Sequence, residues 1–280
     1  MQELRFELAH LTLSGLGLGD PNKPMILALH GWLDNAASFI PLSEHLSDFY
    51  IVALDITGHG NSAHRALGNH YHLLDFVQDI HELVESQGWP PFILLGHSMG
   101  GIIASLYASC FNDKVSKLIS IESFGPITKD ARSSPQQLRE SIESRIKANQ
   151  SQARHPSSLE QTIAARARAG DMSLLAAGLL VERNVGQKDG QYFFKTDRKL
   201  RTFSSVRITE EQAEAFMRNI TCPMLVVHGD RGFEFMRAAF KHRQNWVTQL
   251  TAAECSGHHH VHMDNPEAVA QPIREFLTTD

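Results

Sequence analysis

Gly96-His97-Ser98-Met99-Gly100 sets a serine between two glycines in the pattern G-x-S-x-G. Such a serine becomes a nucleophile when a tight strand-to-helix turn presents it, because side chains at the glycine positions would strike their neighbours. The hydroxyl alone is a poor nucleophile at neutral pH and needs a base and an orienting acid. In the chain order this turn favours, serine comes first, then the acid, then histidine. His258, His259, His260 and His262 crowd into five positions near the C-terminus, and each is a candidate base. Adjacent histidines seldom converge on one ion, and no upstream H-E-x-x-H completes a ligand set, so neither a metal nor another cofactor is expected. Charge developing on a carbonyl oxygen calls for two backbone N–H donors. One should be Met99, directly after the serine. The other should be Trp32, in the His30-Gly31-Trp32 loop that follows the first strong apolar run.

A nucleophile of this kind must be held between a buried strand and a helix, and the chain provides both. Phe92–Leu95 reads as the strand and 99–110 as the helix, with Pro90-Pro91 stopping the preceding helix. Further buried strands are predicted at Met25–Leu29, Tyr50–Leu54, Lys117–Ile121, Pro223–His228 and Trp246–Thr251. A weaker pair, Leu4–Leu8 and Leu11–Leu13, should form an antiparallel edge hairpin. Helices are predicted near 38–47, 72–87 and 266–277. This alternation is that of a mainly parallel sheet flanked by helices. From about Gly125 to Val206 the rhythm breaks and no strand is predicted. The segment reads instead as amphipathic helices at Pro135–Ala148, Ser157–Ala169 and Ser173–Arg183. Residues 126–208 carry 15 Lys/Arg against 8 Asp/Glu, whereas the rest carries 11 against 23. The expected layout is a core of residues 1–125 and 207–280 with a helical cap inserted at 126–206.

These segments resemble the α/β-hydrolase fold family, and within it the serine hydrolase-like proteins, over nearly the whole chain. His30-Gly31-Trp32-Leu33-Asp34-Asn35-Ala36 resembles a characteristic loop of that group. Asp55-Ile56-Thr57-Gly58-His59-Gly60-Asn61-Ser62 resembles its structural D-x-x-G-H-G-x-S turn. The loop Gly257-x-His259-x-x-His262-Met263, followed by Pro266, resembles the group's histidine loop. The resemblance implies a mostly parallel eight-stranded sheet. It also implies that the base is the histidine seven residues before the proline, which is His259.

The acid departs from the family pattern. The resemblance puts it at G-x-x-D after the strand that follows the insertion, but here Gly229-Asp230-Arg231-Gly232 has glycine at that position. Asp230 stands two residues early and Glu234 two late. Some members of the fold, among them a branch of the haloalkane dehalogenases, carry the acid after the strand that precedes the insertion. Glu122 directly follows that strand. A carboxylate there is poorly solvated unless paired, and His259 would pair it. Glu122 is therefore the expected acid, with Asp230 as the alternative.

Dehalogenases and epoxide hydrolases of this fold use aspartate at the turn, so Ser98 implies acyl transfer and cleavage of small or medium carboxylic esters. A thioesterase, amidase or carbon–carbon bond hydrolase could use the same triad. The displaced acid also leaves room for a binding protein that kept the fold without turnover. His97, Leu175, Leu179 and Phe193 are expected at the substrate, with cap-to-core packing as the competing reading for the cap residues. The 280 residues, 42% hydrophobic, exclude a disordered or collagen-like chain. A net charge of -5 gives no support for a nucleic-acid partner. No apolar run reaches the ~20 residues of a membrane span. The N-terminus lacks the pattern of a signal peptide, and Cys110, Cys222 and Cys255 lie far apart. A cytoplasmic location is expected.

Overall fold

A computed structural model describes residues 1–151 and 155–278. The chain opens with β1 (Gln2–Glu7), β2 (Thr12–Leu18), β3 (Met25–Leu29), the short α1 (Ile40–Ser43), β4 (Tyr50–Asp55) and α2 (Leu73–Gln87). β5 (Phe92–His97), α3 (Met99–Cys110) and β6 (Val115–Ile121) follow. Next come α4 (Ser134–Gln150), α5 (Leu159–Gly170), α6 (Leu174–Asn184), β7 (Val185–Lys188) and β8 (Gln191–Phe194). The chain closes with α7 (Glu210–Arg218), β9 (Met224–Gly229), α8 (Glu234–Arg243), β10 (Leu250–Cys255), α9 (Val261–Asp264) and α10 (Pro266–Thr278).

Eight strands form one sheet in the order β1-β2-β4-β3-β5-β6-β9-β10. β1 pairs antiparallel with β2, and β2 with β4. The remaining pairs are parallel. The central strands are near-continuous Ile, Leu, Val and Ala because helices cover both faces. One core layer joins Leu27, Leu94 and Val226 to α2 and α3, and the opposite layer joins Ala28, Leu95 and Val227 to α10. β5 lies between β3 and β6, so its C-terminal end has a loop on either side. This is the place where an open parallel sheet concentrates its functional loops.

Several expectations change. The segment between β6 and β9 contains a two-stranded sheet, β7–β8, where no strand was predicted. Its turn is Asp189-Gly190, both at positive φ (50° and 77°), as a type I′ hairpin requires. The last strand begins at Leu250 rather than Trp246, which lies in a 3-10 turn (Gln244–Trp246). The helix expected at 38–47 is a 3-10 turn (Ala36–Phe39) followed by the four residues of α1. α7 and α8 are additional to the predicted helices. Among the described residues, no helix is long and apolar enough to cross a membrane.

Candidate active site

Ser98 joins β5 to α3 with φ 52° and ψ −116°, outside the regions L-residues normally occupy. The flanking glycines make this turn feasible: a Cβ on Gly96 would strike the backbone of Gly100, and one on Gly100 the carbonyl of Leu29. The hydroxyl is thereby held at the end of the sheet. Ser98 Oγ lies 2.9 Å from His259 Nε2, and His259 Nδ1 lies 3.1 Å from Glu122 Oε2. A carboxylate can only accept, so Nδ1 carries the imidazole proton and Nε2 accepts from the serine hydroxyl.

Glu122 follows β6 directly, with φ 52°. Its N–H donates to Val227 O (2.9 Å), continuing the sheet ladder toward β9. Its second oxygen, Oε1, accepts from Gly229 N (2.7 Å). The carboxylate is buried but bonded through both oxygens, which is what burial of such a group demands. The carboxylate also fills the space in front of Gly232, where a Cβ would lie 2.6 Å from the Glu122 carboxyl carbon. Residue 232 is the position at which the family pattern sets its acid. Asp230 does not reach His259: its Oδ1 accepts from Gly257 N (2.9 Å), and that bond holds its pKa below the usual carboxylate value. Glu234 is exposed at the start of α8. Phe233, between them, lays its ring against His259 at a centroid distance of 4.1 Å.

Met99 opens α3, where first-turn N–H groups have no acceptor within the helix. In the loop after β3, the amides of Leu33 and Asp34 are committed to His59 Nε2 (3.2 Å) and Gly31 O (3.1 Å). The Trp32 side chain is half exposed and donates from Nε1 to Leu200 O (3.0 Å).

The four clustered histidines divide by environment. His258 pairs with the exposed Asp171 (2.8 Å). His260 meets Asp34 Oδ2 at 3.2 Å and Gly170 O at 3.1 Å. His262 is buried against Ser38 Oγ (2.7 Å), and burial pushes its pKa down to about 3. The ligand atoms of Asp34, His97 and His260 lie within 4.8 Å of one another, a grouping that could hold a metal ion. A cation already faces it: Arg166 Nη2 bonds Asp34 Oδ1 and stands 3.5 Å from His260 Nε2. Burial alone would raise the Asp34 pKa, but His260, Arg166 and His97 together hold it well below the usual value.

The residues expected at the substrate are not brought together. His97 has 0% exposure, and its Nε2–H donates to His259 O (2.9 Å), so it ties the serine turn to the histidine loop. Leu175 is 79% exposed and Leu179 packs into the core layers. Phe193 sits on the hairpin across from Gly186. None of the four lines the cavity of about 190 Å³ that opens beside Ser98. Its walls come from Ser98 and Ile102, from residues 122–128 and from α8; of these the sequence pointed to Ser98 and Glu122, and not to residues 123–128 or α8. The signal for the first wall was the glycine at 232, which offers no carboxylate there and draws attention to Glu122 at the end of β6.

The α/β-hydrolase fold model matches residues 24–231. A serine hydrolase-like protein of Danio rerio is 29% identical over 98% of this chain and 88% of its own length. A probable serine hydrolase of Drosophila melanogaster is 30% identical over 95% of this chain and 84% of its own. The crystal structure of a hypothetical protein from Pseudomonas aeruginosa PAO1 superposes with a TM-score of 0.89. It is 36% identical and covers 99% of this chain and 97% of its own.

Proposed function

Since the chain belongs to the α/β-hydrolase family and is on that ground a hydrolase, we propose that it cleaves carboxylic esters of small or medium acyl groups through an acyl-enzyme on Ser98. The observation that carries this is the continuous hydrogen-bond chain Ser98–His259–Glu122, at 2.9 and 3.1 Å. Ser98 Oγ attacks the ester carbonyl carbon while His259 Nε2 takes its proton, and Glu122 stabilises the resulting imidazolium. The Met99 and Trp32 N–H groups hold the oxyanion. As the carbon–oxygen bond breaks, His259 returns the proton to the leaving alcohol. Water then attacks the acyl-enzyme with His259 as base, releasing the acid and restoring Ser98.

Residues 126–206 act as a cap over this site in the proposal. Its attachments support that reading: Leu180 O accepts from Asn35 Nδ2 (2.8 Å), and Arg183 Nε donates to Asp55 Oδ1 (2.9 Å). The cap's surplus of positive charge favours one second reading, a thioester carried on an anionic leaving group. A cytoplasmic location suits the three free cysteines.

A fluorophosphonate probe tests the nucleophile. The wild type should be labelled and Ser98→Ala should not, and only the wild type should hydrolyse p-nitrophenyl butyrate. A folded wild type that takes no label would remove the serine-hydrolase mechanism.

A further inference from the structure

We infer that the cavity between residues 123–128 and α8 receives the acyl group of the substrate, and that this group is a short chain without negative charge. The inference rests on the Ser98 reading and adds to it the substrate class. Ser98 itself lines the cavity, together with Ile102, Phe124, Ile127, Met236 and Ala239. Neither His259, Trp32 nor Met99 is among its lining residues. That asymmetry assigns the half of the ester that enters. In the tetrahedral intermediate on Ser98 Oγ, the oxyanion must face the amides of Met99 and Trp32. The leaving oxygen must lie within reach of His259 Nε2. The remaining substituent on the carbon is the acyl chain, and the remaining side of Ser98 is this cavity.

The polar groups of the cavity select against an anionic chain. Arg243 is the cation that lines it, and all five of its N–H donors are met. Nε and Nη2 bond the two oxygens of Glu210 at 2.7 Å each. Nη2 also reaches Thr128 Oγ1 at 3.2 Å, and Nη1 reaches Pro126 O at 2.8 Å and Phe124 O at 3.4 Å. No donor of this guanidinium is left for a substrate carboxylate, since it offers five in a fixed fork. Glu122 also lines the cavity and would repel one. A volume of about 190 Å³ corresponds to about six water-sized volumes of ~30 Å³. Acyl chains of about two to six carbons therefore fit.

The test is a chain-length profile of p-nitrophenyl acetate, butyrate, hexanoate and decanoate. It is run on the wild type and on two variants that narrow the cavity, Ala239→Phe on α8 and Ile127→Trp at the half-open lip. Wild-type kcat/KM should rise about tenfold from acetate to butyrate, from burial of the two added methylenes, rise further at hexanoate, and fall at decanoate. Each folded variant should lose about tenfold or more on hexanoate while acetate stays within about threefold. A hemisuccinate ester should be turned over about tenfold more slowly than butyrate, because its carboxylate finds no free donor. A profile unchanged in both variants, or a preference for the hemisuccinate, would overturn the assignment. Fluorophosphonate labelling separates the two levels. Labelled Ser98 with an unchanged profile removes only the acyl pocket, whereas an unlabelled wild type removes the nucleophile on which it depends.

Discussion

Glu122 holds a backbone conformation that costs a non-glycine residue on the order of 1–3 kcal/mol, and it does so at the edge of the proposed reaction centre. The positive φ turns the chain out of β6 while the carboxylate spans His259 Nδ1 and Gly229 N. Glu122→Gln keeps that shape but offers His259 an amide that can hold the wrong tautomer. It should lower kcat by about 10³–10⁴-fold with little change in KM. Asp230→Asn retains the oxygen that accepts from Gly257 N, so its kcat should stay within about tenfold of wild type. Steady-state kinetics on both variants checks the ranking, and the reverse order would reassign the acid. Both carboxylates were legible in the sequence, one on each side of the insertion. What separates them is invisible there: Asp230 spends its carboxylate on the backbone N–H of Gly257, and Glu122 is the one that meets the ring of His259. The role of His97 was likewise unreadable, because adjacency to Ser98 does not say which way a side chain faces.

At the scale of elements, the acid is a relation between two strand ends. β6 supplies the carboxylate and the loop after β9 supplies the space, so Gly232 and Glu122 form one unit. Gly232→Asp alone sets two carboxylates in one place, and it should be inactive and less stable, since like charges there cannot both stay ionised. Glu122→Gly suits the positive φ and removes the acid. The double variant, Glu122→Gly with Gly232→Asp, returns a carboxylate to the same neighbourhood from the opposite strand. Its kcat/KM for p-nitrophenyl butyrate should exceed that of Glu122→Gly by about tenfold or more, a favourable coupling in a double-mutant cycle. A double variant no better than Glu122→Gly would show that the acid's backbone, not the site it fills, is what matters. The strands nearest this unit were legible because both faces are buried and the apolar runs unbroken. β10 was misplaced by four residues because it is an edge strand with exposed Thr251, Ala252 and Glu254, while the more apolar Trp246-Val247 packs in the preceding turn. The β7–β8 hairpin carried a readable Asp-Gly turn, but flanking strands of four residues gave too little alternation to declare themselves.

The histidine surplus acts on the molecule as a whole. Of its 16 histidines, His30, His59, His97 and His262 are fully buried. Burial, which disfavours the charged imidazole, pushes all four below their ordinary pKa of 6.5, His59 and His262 to about 3. These side chains bond as neutral rings: His59 accepts from Leu33 N and His30 Nε2 from Ile56 N (2.9 Å). Between pH 6.5 and about 3 the unfolded chain therefore binds protons that the folded chain does not. Stability then rises with pH across this window and is lost as the pH falls. For a histidine moved from 6.5 to about 3, the loss at pH 5 is about 2 kcal/mol. Two such residues remove about 4 kcal/mol of a total that is usually 5–15 kcal/mol. Urea denaturation should show full stability near pH 8 and a fall of at least about 4 kcal/mol by pH 5, before the carboxylates begin to titrate. His262→Gln replaces a buried imidazole bonded to Ser38 with a side chain that does not titrate. It should be less stable than wild type at pH 8, yet its fall between pH 8 and 5 should shrink by about 2 kcal/mol. Equal falls in the two proteins would mean that His262 is protonated without unfolding, and that the buried cluster does not set the acid limit of the fold.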